Sequence, residues 1–268
     1  MKICRFQFPH TNGSRYGLVD ESGSSIIPLE DSLTVEEIAH ATAKDAKGKP
    51  ISLVEVRLLA PATPSKVVCV GRNYSDHAAE LGNTMPDEPL LFLKPPSSII
   101  AHEESIELPP VSSRVEHEGE LGVVIGRRAS RLRENDSPLD YVLGYTCVND
   151  VTARDIQRKD VQFTRGKSFD TFCPFGPFIV SHLDPTDLHV QTRVNGAVRQ
   201  DARTSAMAFS VEMLIRYISN VMTLEPGDLI ATGTPAGVGP LLDGDFVEVE
   251  IEDVGVLRNR VRGLSSLD

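Results

Sequence analysis

The stretch RVEHEGELGVVIG, residues 114–126, places three glutamates at every second position ahead of an apolar run. In a β-strand, alternate side chains project from the same face, so Glu118 and Glu120 would share a face with Cβ atoms about 6–7 Å apart. Glu116 would join them only if the strand begins that early. Carboxylates on one face repel each other, and burying them is costly unless a positive group lies between them. The stretch therefore predicts either a solvated strand edge or a cation held between the acids.

A third acidic residue follows another apolar strand, in VNDVTARDIQ. Asp150 closes that strand, and Thr152 with Asp155 has the spacing of a capping box, which predicts a helix directly afterwards. Three carboxylates without a histidine or cysteine ligand suit Mg²⁺ or Mn²⁺, which leave coordination positions for water or substrate. We therefore predict a metal site formed by Glu118, Glu120 and Asp150.

Three further segments carry side chains that suit an acidic substrate. On the helix predicted after the aspartate, Arg154 and Gln157 are three residues apart and share a face. Lys167 precedes the beginning of a proline-rich strand. The glycine-rich LIATGTPAGVGP lacks the Lys-Ser/Thr pair and following helix of a phosphate loop, but its Thr234 can offer a hydroxyl and backbone amides to a carboxylate. Taken alone, each segment is also compatible with an ordinary surface helix or turn.

The segment GRNYSDHAAELG contains a candidate general base. Ser75 is predicted to cap a short helix on which His77 and Glu80 are three residues apart, so that the carboxylate orients the imidazole. A base positioned in this way typically contributes a factor of about 100 to 10,000 to a rate. A solvated helix face is the alternative interpretation of the same spacing.

The composition argues against several classes of partner. The 268 residues carry a formal net charge of −11 and no block of basic residues, which disfavours nucleic acid. The longest apolar runs fall far short of the roughly 20 residues that span a bilayer, and the amino terminus does not resemble a signal peptide. The four cysteines show no CxxC spacing, so we expect reduced thiols rather than a zinc or redox site. These features predict a cytoplasmic protein with no membrane partner.

Short strand signals dominate the chain after its first sixty residues, and only SVEMLIRYISNVM has strong helical periodicity. In that helix Ser210 is the predicted cap, and the apolar face runs from Val211 to Met222. Regular βαβ alternation is absent, which disfavours a doubly wound nucleotide-binding fold. The pattern predicts a mixed α/β, strand-rich architecture with few helices.

A small amino-terminal module is predicted ahead of this region. Residues 2–8 and 15–19 alternate like short strands, and Thr34 with Glu37 forms a capping box that opens a short helix. The proline-containing segment LLAPATPSK interrupts any regular element and is predicted to connect this module to the rest of the chain. We therefore predict an α+β module over residues 1–62 and a catalytic domain over residues 63–268.

Six motifs, in this order, resemble those of the fumarylacetoacetate hydrolase family: GRNYxDHxxE, EGELGVVIG, NDVTARDIQ, GKSFDTFCPFGP, VNGxxRQ and GTPAGVG. The resemblance covers roughly residues 66 to 262, and the amino-terminal residues are similar to the module of bacterial two-domain members. It implies a β-sandwich roll, a divalent metal, a homodimer and activity on short 2-oxo acids with a second carbonyl.

The resemblance also implies a role for each matching residue. The metal ligands would be Glu118, Glu120 and Asp150, whereas Glu116 precedes the matched pair. His77 and Glu80 would form the catalytic dyad, on a segment that orders as a lid when substrate binds. The implied substrate contacts are Arg154, Gln157, Thr234, Gln200 and Lys167, of which Lys167 would also act in catalysis by stabilising charged oxygens.

These roles lead to a hypothesis about the reaction. The leading hypothesis is a metal-dependent hydrolase of the acylpyruvase or fumarylpyruvate hydrolase type, which cleaves a carbon–carbon bond in short 2,4-diketo acids. The 2-oxo acid would chelate the metal, so that pyruvate enolate becomes a competent leaving group while His77 deprotonates the attacking water.

Other reactions fit the same residues. One is the decarboxylation of oxaloacetate. Another is the isomerisation and decarboxylation of 2-hydroxyhepta-2,4-diene-1,7-dioate or 5-carboxymethyl-2-hydroxymuconate in aromatic degradation. A non-catalytic module that binds a metal or a 2-oxo acid is a hypothesis of a different class.

Overall fold

The computed structural model describes residues 1–30, 33–39, 45–46 and 48–264. In this part of the chain the α-helices are α1 (Val35–Ile38), α2 (Ser75–Glu80), α3 (Arg154–Asp160), α4 (Thr164–Lys167) and α5 (Val211–Val221). None of the helices described has the length and apolar character needed to cross a membrane.

The strands of the amino-terminal region are β1 (Lys2–Gln7), β2 (Ser14–Val19), β3 (Ser25–Pro28), β4 (Ile51–Ser52) and β5 (Arg57–Leu59). The next group is β6 (Val67–Gly71), β7 (Leu90–Lys94), β8 (Ile99–Ile100), β9 (Ser105–Leu108), β10 (Val115–His117), β11 (Gly119–Ile125), β12 (Val142–Asn149) and β13 (Thr152–Ala153). The remaining strands are β14 (Cys173–Val180), β15 (His189–Val194), β16 (Ala197–Arg203), β17 (Leu229–Ala231), β18 (Gly239–Pro240), β19 (Phe246–Ile251) and β20 (Gly255–Gly263).

The described strands form three sheets. The largest has the order β4-β3-β2-β1-β14-β12-β11-β17-β6-β7, with β5 added to β1 and β8 added to β14. A five-stranded sheet has the order β16-β15-β19-β20-β9, and a short sheet has the order β13-β10-β18. Strand β1 pairs antiparallel with β14, so the amino-terminal strands extend the main sheet of the protein.

Strand β11 is buried on both faces, which accounts for the apolar run from Leu121 to Ile125. Leu121, Val123 and Ile125 pack in a cluster with residues of α5 and the five-stranded sheet. Val124, on the other face, packs in a second cluster with residues of β1, β6 and β14. The strand-rich, mixed α/β fold class predicted from the sequence is confirmed, with sheets packed in layers around β11 and β12.

Two of the predicted helix starts are confirmed. The Ser210 hydroxyl accepts from the Met213 amide at the start of α5, and most of the predicted apolar face of this helix is buried. Met222 lies just beyond the last helical residue and is partly buried against the same cluster. Thr34 and Glu37 form the predicted capping box of α1.

Two other predicted caps are wrong. Helix α3 begins at Arg154 without a side-chain cap. The Thr152 hydroxyl donates to the Asp150 carbonyl oxygen, and the Asp155 carboxylate accepts from two serines of the loop before β10. Ser75 is the first residue of α2 rather than its cap. At α3, the serines of that loop, about forty residues earlier in the chain, bind the carboxylate that the capping box would have needed.

Candidate active site

The pairing of β11 with β12 brings the three predicted metal ligands together. Gly119 lies opposite Asn149 in this antiparallel ladder, so Glu118 and Asp150 occupy adjoining positions at its end. The Asp150 amide donates to the Glu118 carbonyl oxygen at 2.8 Å. One carboxylate oxygen from each of Glu118, Glu120 and Asp150 lies within 4.8 Å of the others, and all three residues are buried.

The remaining glutamate of the opening stretch lies outside this triad. The Glu116 carboxylate accepts from Nε of Arg154 at 2.7 Å and from Nε of Arg114 at 2.5 Å. The Arg154 guanidinium also donates to Glu118, and its Nη1 donates to Oε1 of Gln157 at 2.7 Å. Arg154 therefore ties Glu116 and Gln157 to one of the predicted metal ligands.

Two buried lysines neutralise part of the acidic charge. Nζ of Lys167 lies 2.7 Å from Oε2 of Glu118 and 2.6 Å from Oδ2 of Asp150. Nζ of Lys94 donates to Oδ1 of Asp150 at 2.5 Å and to the Val151 carbonyl at 3.0 Å. Lys94 was not predicted from the sequence. The only available signal was a charged residue at the end of the apolar run PLLFLK, which a buried strand does not normally carry.

The three carboxyl groups differ in their electrostatic surroundings. Burial, together with the carboxylates of Asp150 and Glu118, raises the pKa of Glu120 well above its usual range. Burial alone would also raise the pKa of Glu118, but the Lys167 ammonium and the Arg154 guanidinium hold it well below its usual range. Glu120 accepts the Gly233 amide at 2.8 Å and is the acid left without a direct cationic partner among the described residues.

This donor set fits a hard divalent cation. The triad offers carboxylate oxygens, which Mg²⁺ and Mn²⁺ prefer, from three buried residues that already face one another. A cation would also relieve the repulsion that raises the pKa of Glu120. Glu118, Glu120 and Asp150 are therefore the residues that would hold such an ion, and its identity does not follow from the geometry.

The predicted catalytic dyad lies on α2 beside the triad. Nδ1 of His77 is 3.4 Å from Oε2 of Glu80, and the imidazole is buried. The Glu80 carboxylate also accepts from the Gly237 amide, at 3.1 Å to Oε1 and 3.2 Å to Oε2. Gly237 has φ +101°, and a Cβ here would lie 2.0 Å from the Arg199 carbonyl oxygen, so this position needs glycine. The glycine-rich turn thus holds the carboxylate that faces the imidazole.

Thr234 and Gln200 belong to one hydrogen-bond network. The Thr234 hydroxyl donates to the Gly119 carbonyl oxygen at 2.9 Å and accepts from Nε2 of Gln200 at 2.6 Å. The buried Gln200 also donates to the Pro235 carbonyl oxygen and accepts from the Gly119 amide. Gln200 thus supports the turn that carries Thr234, and its direct contact with substrate stays a prediction.

The predicted site residues, except Glu80 and Gln200, line one cavity of about 250 Å³. The structure therefore gathers side chains from segments that are far apart in sequence. Phe92 and Phe163 form part of the apolar wall, with their rings 5.4 Å apart edge to face. The cavity is also lined by two arginines that were not predicted from the sequence as site residues, Arg72 and Arg158.

Comparison with known proteins gives matches over nearly the whole chain. Residues 66–262 match the family model described as Fumarylacetoacetate (FAA) hydrolase C-terminal, and residues 1–61 match the model described as Rv2993c-like, N-terminal. The chain is 41% identical over 290 residues to Oxaloacetate tautomerase FAHD2A, mitochondrial, of Bos taurus, covering 97% of this chain and 91% of that protein.

Two further relatives have named activities. The chain is 45% identical over 225 residues to Oxaloacetate tautomerase YisK of Bacillus subtilis, covering 78% of this chain and 74% of that protein. The crystal structure of 5-carboxymethyl-2-hydroxymuconate delta-isomerase from Mycobacterium smegmatis matches with a TM-score of 0.86 and 42% identity, covering 99% of this chain and 100% of that one.

Proposed function

The chain belongs to the fumarylacetoacetate hydrolase family of enzymes, and from this we propose that it is a metal-dependent tautomerase or isomerase of a short 2-oxo acid. The observation that carries the proposal is the buried carboxylate triad in one small cavity with His77. The named relatives support the isomerase alternative more than the hydrolase that was the leading hypothesis from sequence.

The proposed reaction moves a proton next to a keto group. A divalent cation, when bound, supplies positive charge at the carboxylate and keto oxygens of a 2-oxo acid and so makes the neighbouring carbon more acidic. Arg154 and Gln157 are joined by a hydrogen bond and present a guanidinium and an amide to the same end of the substrate. Lys167 adds an ammonium group to this end of the cavity.

His77 is the proposed proton carrier. Its Nδ1 faces Glu80, so Nδ1 carries the proton and the basic Nε2 is left for the cavity. In the keto-to-enol direction, Nε2 removes a proton from the carbon beside the keto group, and the imidazolium so formed gives that proton to the keto oxygen, which completes the enol. The reverse transfer restores the keto form, so no water is consumed and no carbon–carbon bond is broken.

Hydrolysis of an acylpyruvate is the second candidate, because a histidine that removes a carbon proton would also deprotonate water in the same cavity. A panel of oxaloacetate, acetylpyruvate and fumarylpyruvate, with Mg²⁺ and with a chelator, separates the two reactions. We expect the protein to accelerate the keto–enol exchange of oxaloacetate with Mg²⁺ present, and the chelator to abolish this acceleration. Ultraviolet absorbance monitors the exchange. If kcat/KM for pyruvate release from acetylpyruvate or fumarylpyruvate is higher than kcat/KM for oxaloacetate exchange, the hydrolase is favoured instead.

A non-catalytic binding protein would give a third result. Oxalate would bind in the presence of Mg²⁺, as measured by calorimetry, while no member of the panel turned over. We also propose that the protein acts in the cytoplasm, as its sequence features predict, and that it forms a homodimer, as the family resemblance implies. Light scattering of the purified protein should then give about twice the chain mass of 29.3 kDa.

A further inference from the structure

Two arginines in the cavity wall have no anionic partner within the described residues. Arg72 follows the end of β6 and is half-buried, and Arg158 is exposed on α3. By contrast, Arg154 and Lys167, the other cations of the wall, are engaged by buried carboxylates of the site. The cavity therefore has two guanidinium groups available to a ligand.

Both arginines are more exposed than Arg154 and Lys167, the buried cations of the same cavity. Arg158 is one helical turn beyond Arg154 on α3, about 6 Å away by helical rise. Arg72 has φ +57°, a left-handed conformation that residues other than glycine seldom adopt. Strain of this kind is concentrated at ligand-binding and catalytic positions. The backbone thus turns at Arg72, at the point where β6 reaches the cavity.

The charges around the carboxylate triad would not balance a second carboxylate on the substrate. Three carboxylates and the two ammonium groups of Lys94 and Lys167 carry a net charge of −1, and Arg154 is balanced by Glu116. A divalent cation would raise the net charge to +1, which one substrate carboxylate balances. A second carboxylate on the substrate would require positive groups of its own.

We propose that Arg72 and Arg158 form a subsite for the second carboxylate of the substrate, so that the enzyme selects short 2-oxo dicarboxylates. This inference rests on the proposed function, because it takes the triad to bind the 2-oxo acid end. A guanidinium binds a carboxylate through two parallel hydrogen bonds, and the partly enclosed cavity strengthens that attraction relative to bulk water. A neutral distal group would gain neither contribution.

A binding experiment tests the subsite without requiring turnover. (S)-Malate and (S)-lactate offer the same chelating 2-hydroxy acid, but only malate has a second carboxylate. In calorimetry with Mg²⁺ present, Arg72→Gln and Arg158→Gln should each weaken malate binding roughly 10-fold, within the range for a lost charged hydrogen bond, and leave lactate binding unchanged. Lys159→Gln is the matched control, because it removes an exposed neighbouring charge from the same helix outside the cavity wall.

A measurement of turnover provides the second test of the subsite. In the wild-type protein kcat/KM for oxaloacetate should exceed that for its 4-methyl ester, and each arginine variant should lower this ratio by about 10-fold. Unchanged ratios in both variants, or equal losses for malate and lactate, would overturn the subsite. If the wild-type protein accelerates neither ketone, the proposed function fails, while the malate and lactate comparison still decides whether the subsite exists.

Discussion

Nζ of Lys94 lies 2.5 Å from Oδ1 of Asp150, and the two side chains are 0% and 1% exposed. Lys167 binds the other oxygen of the same carboxylate at 2.6 Å. Asp150 is therefore held between two ammonium groups. Removing one partner of a buried ion pair leaves an uncompensated charge, which typically costs about 3–5 kcal/mol.

We expect Lys94→Met to lower the Tm of the metal-free protein markedly, because Asp150 loses a buried counter-charge. The variant should regain more stability from Mg²⁺ than the wild-type protein does, since the ion then supplies the missing positive charge. Thermal unfolding in chelator and in a series of Mg²⁺ concentrations measures both effects.

Lys66→Met is the control for this prediction. Lys66 pairs with the buried Asp228, and neither residue lines the cavity. Its loss should lower the Tm without changing the increment that Mg²⁺ provides. Equal Mg²⁺ increments in Lys94→Met and in the wild-type protein would contradict the assigned role of Lys94.

The acids of the triad should respond differently to neutral substitution. The pKa of Glu120 is raised by burial and by its acidic neighbours, so the folded chain binds this proton more tightly than the unfolded chain does. Such a carboxyl lowers stability as the pH rises above the usual glutamate pKa. Metal-free Glu120→Gln should therefore have a higher Tm than the wild-type protein at neutral pH, and the difference should vanish in acid.

Asp150→Asn should behave in the opposite way in the metal-free protein, because Lys94 loses its anionic partner and Lys167 loses one of its two. Both variants should bind Mg²⁺ more weakly than the wild-type protein. Loss of a residue that only supports a metal ligand typically lowers affinity roughly 10- to 100-fold, and loss of a ligand itself should lower it further. Calorimetric titration and unfolding curves over a range of pH provide the measurements. A metal-free Glu120→Gln that is as unstable as Asp150→Asn would refute this assignment.

His77→Gln should lower kcat for the proposed proton transfer by about 100- to 10,000-fold, because the variant has no basic nitrogen at this position. Its affinities for Mg²⁺ and oxalate should remain close to those of the wild-type protein, since His77 is not a proposed ligand. Glu80→Gln should reduce kcat less, because it weakens the orientation of the imidazole and keeps the base.

Asp76→Asn is the matched control, since Asp76 is an exposed acid on the same helix that does not line the cavity. It should retain the wild-type rate. A His77→Gln protein with undiminished kcat would show that another group carries the proton.

Gln200→Leu should destabilise the protein by at least about 2 kcal/mol, because the buried Gly119 amide and the Thr234 hydroxyl lose a partner. Denaturant unfolding measures this change. Thr234→Ser keeps the hydroxyl and should remain near wild-type stability. If Gln200 instead acts as a direct substrate contact, its substitution should raise KM and leave the unfolding free energy unchanged.

Much of the site follows from local patterns in the sequence. Alternation along an extended chain predicts that Glu118 and Glu120 share a side, and they do converge although Glu118 lies in the break between β10 and β11. The 3.6-residue period places Arg154 beside Gln157. The caps of α1 and α5 were also predictable, because their hydrogen bonds join residues three positions apart.

Failures occurred where distant segments compete for the same groups. The capping box of Thr152 and Asp155 does not form, because loop serines about forty residues earlier bind the Asp155 carboxylate. Lys94 has no local pattern that identifies it, since its partner Asp150, which follows β12, is 56 residues away in the sequence. The position of Gln200 behind Thr234 likewise depends on a contact between distant parts of the chain.

By itself, the sequence determined which faces of the strands and helices carry the acids, the base and the apolar surface, because side-chain direction repeats with the local backbone geometry. The sequence patterns also indicated Asp150 as the third acid, but the tertiary structure alone decided that two buried lysines surround it and that Arg72 and Arg158 share its cavity. Those relationships depend on the register of β11 against β12 and on packing between distant segments, whose energies no local repeat encodes.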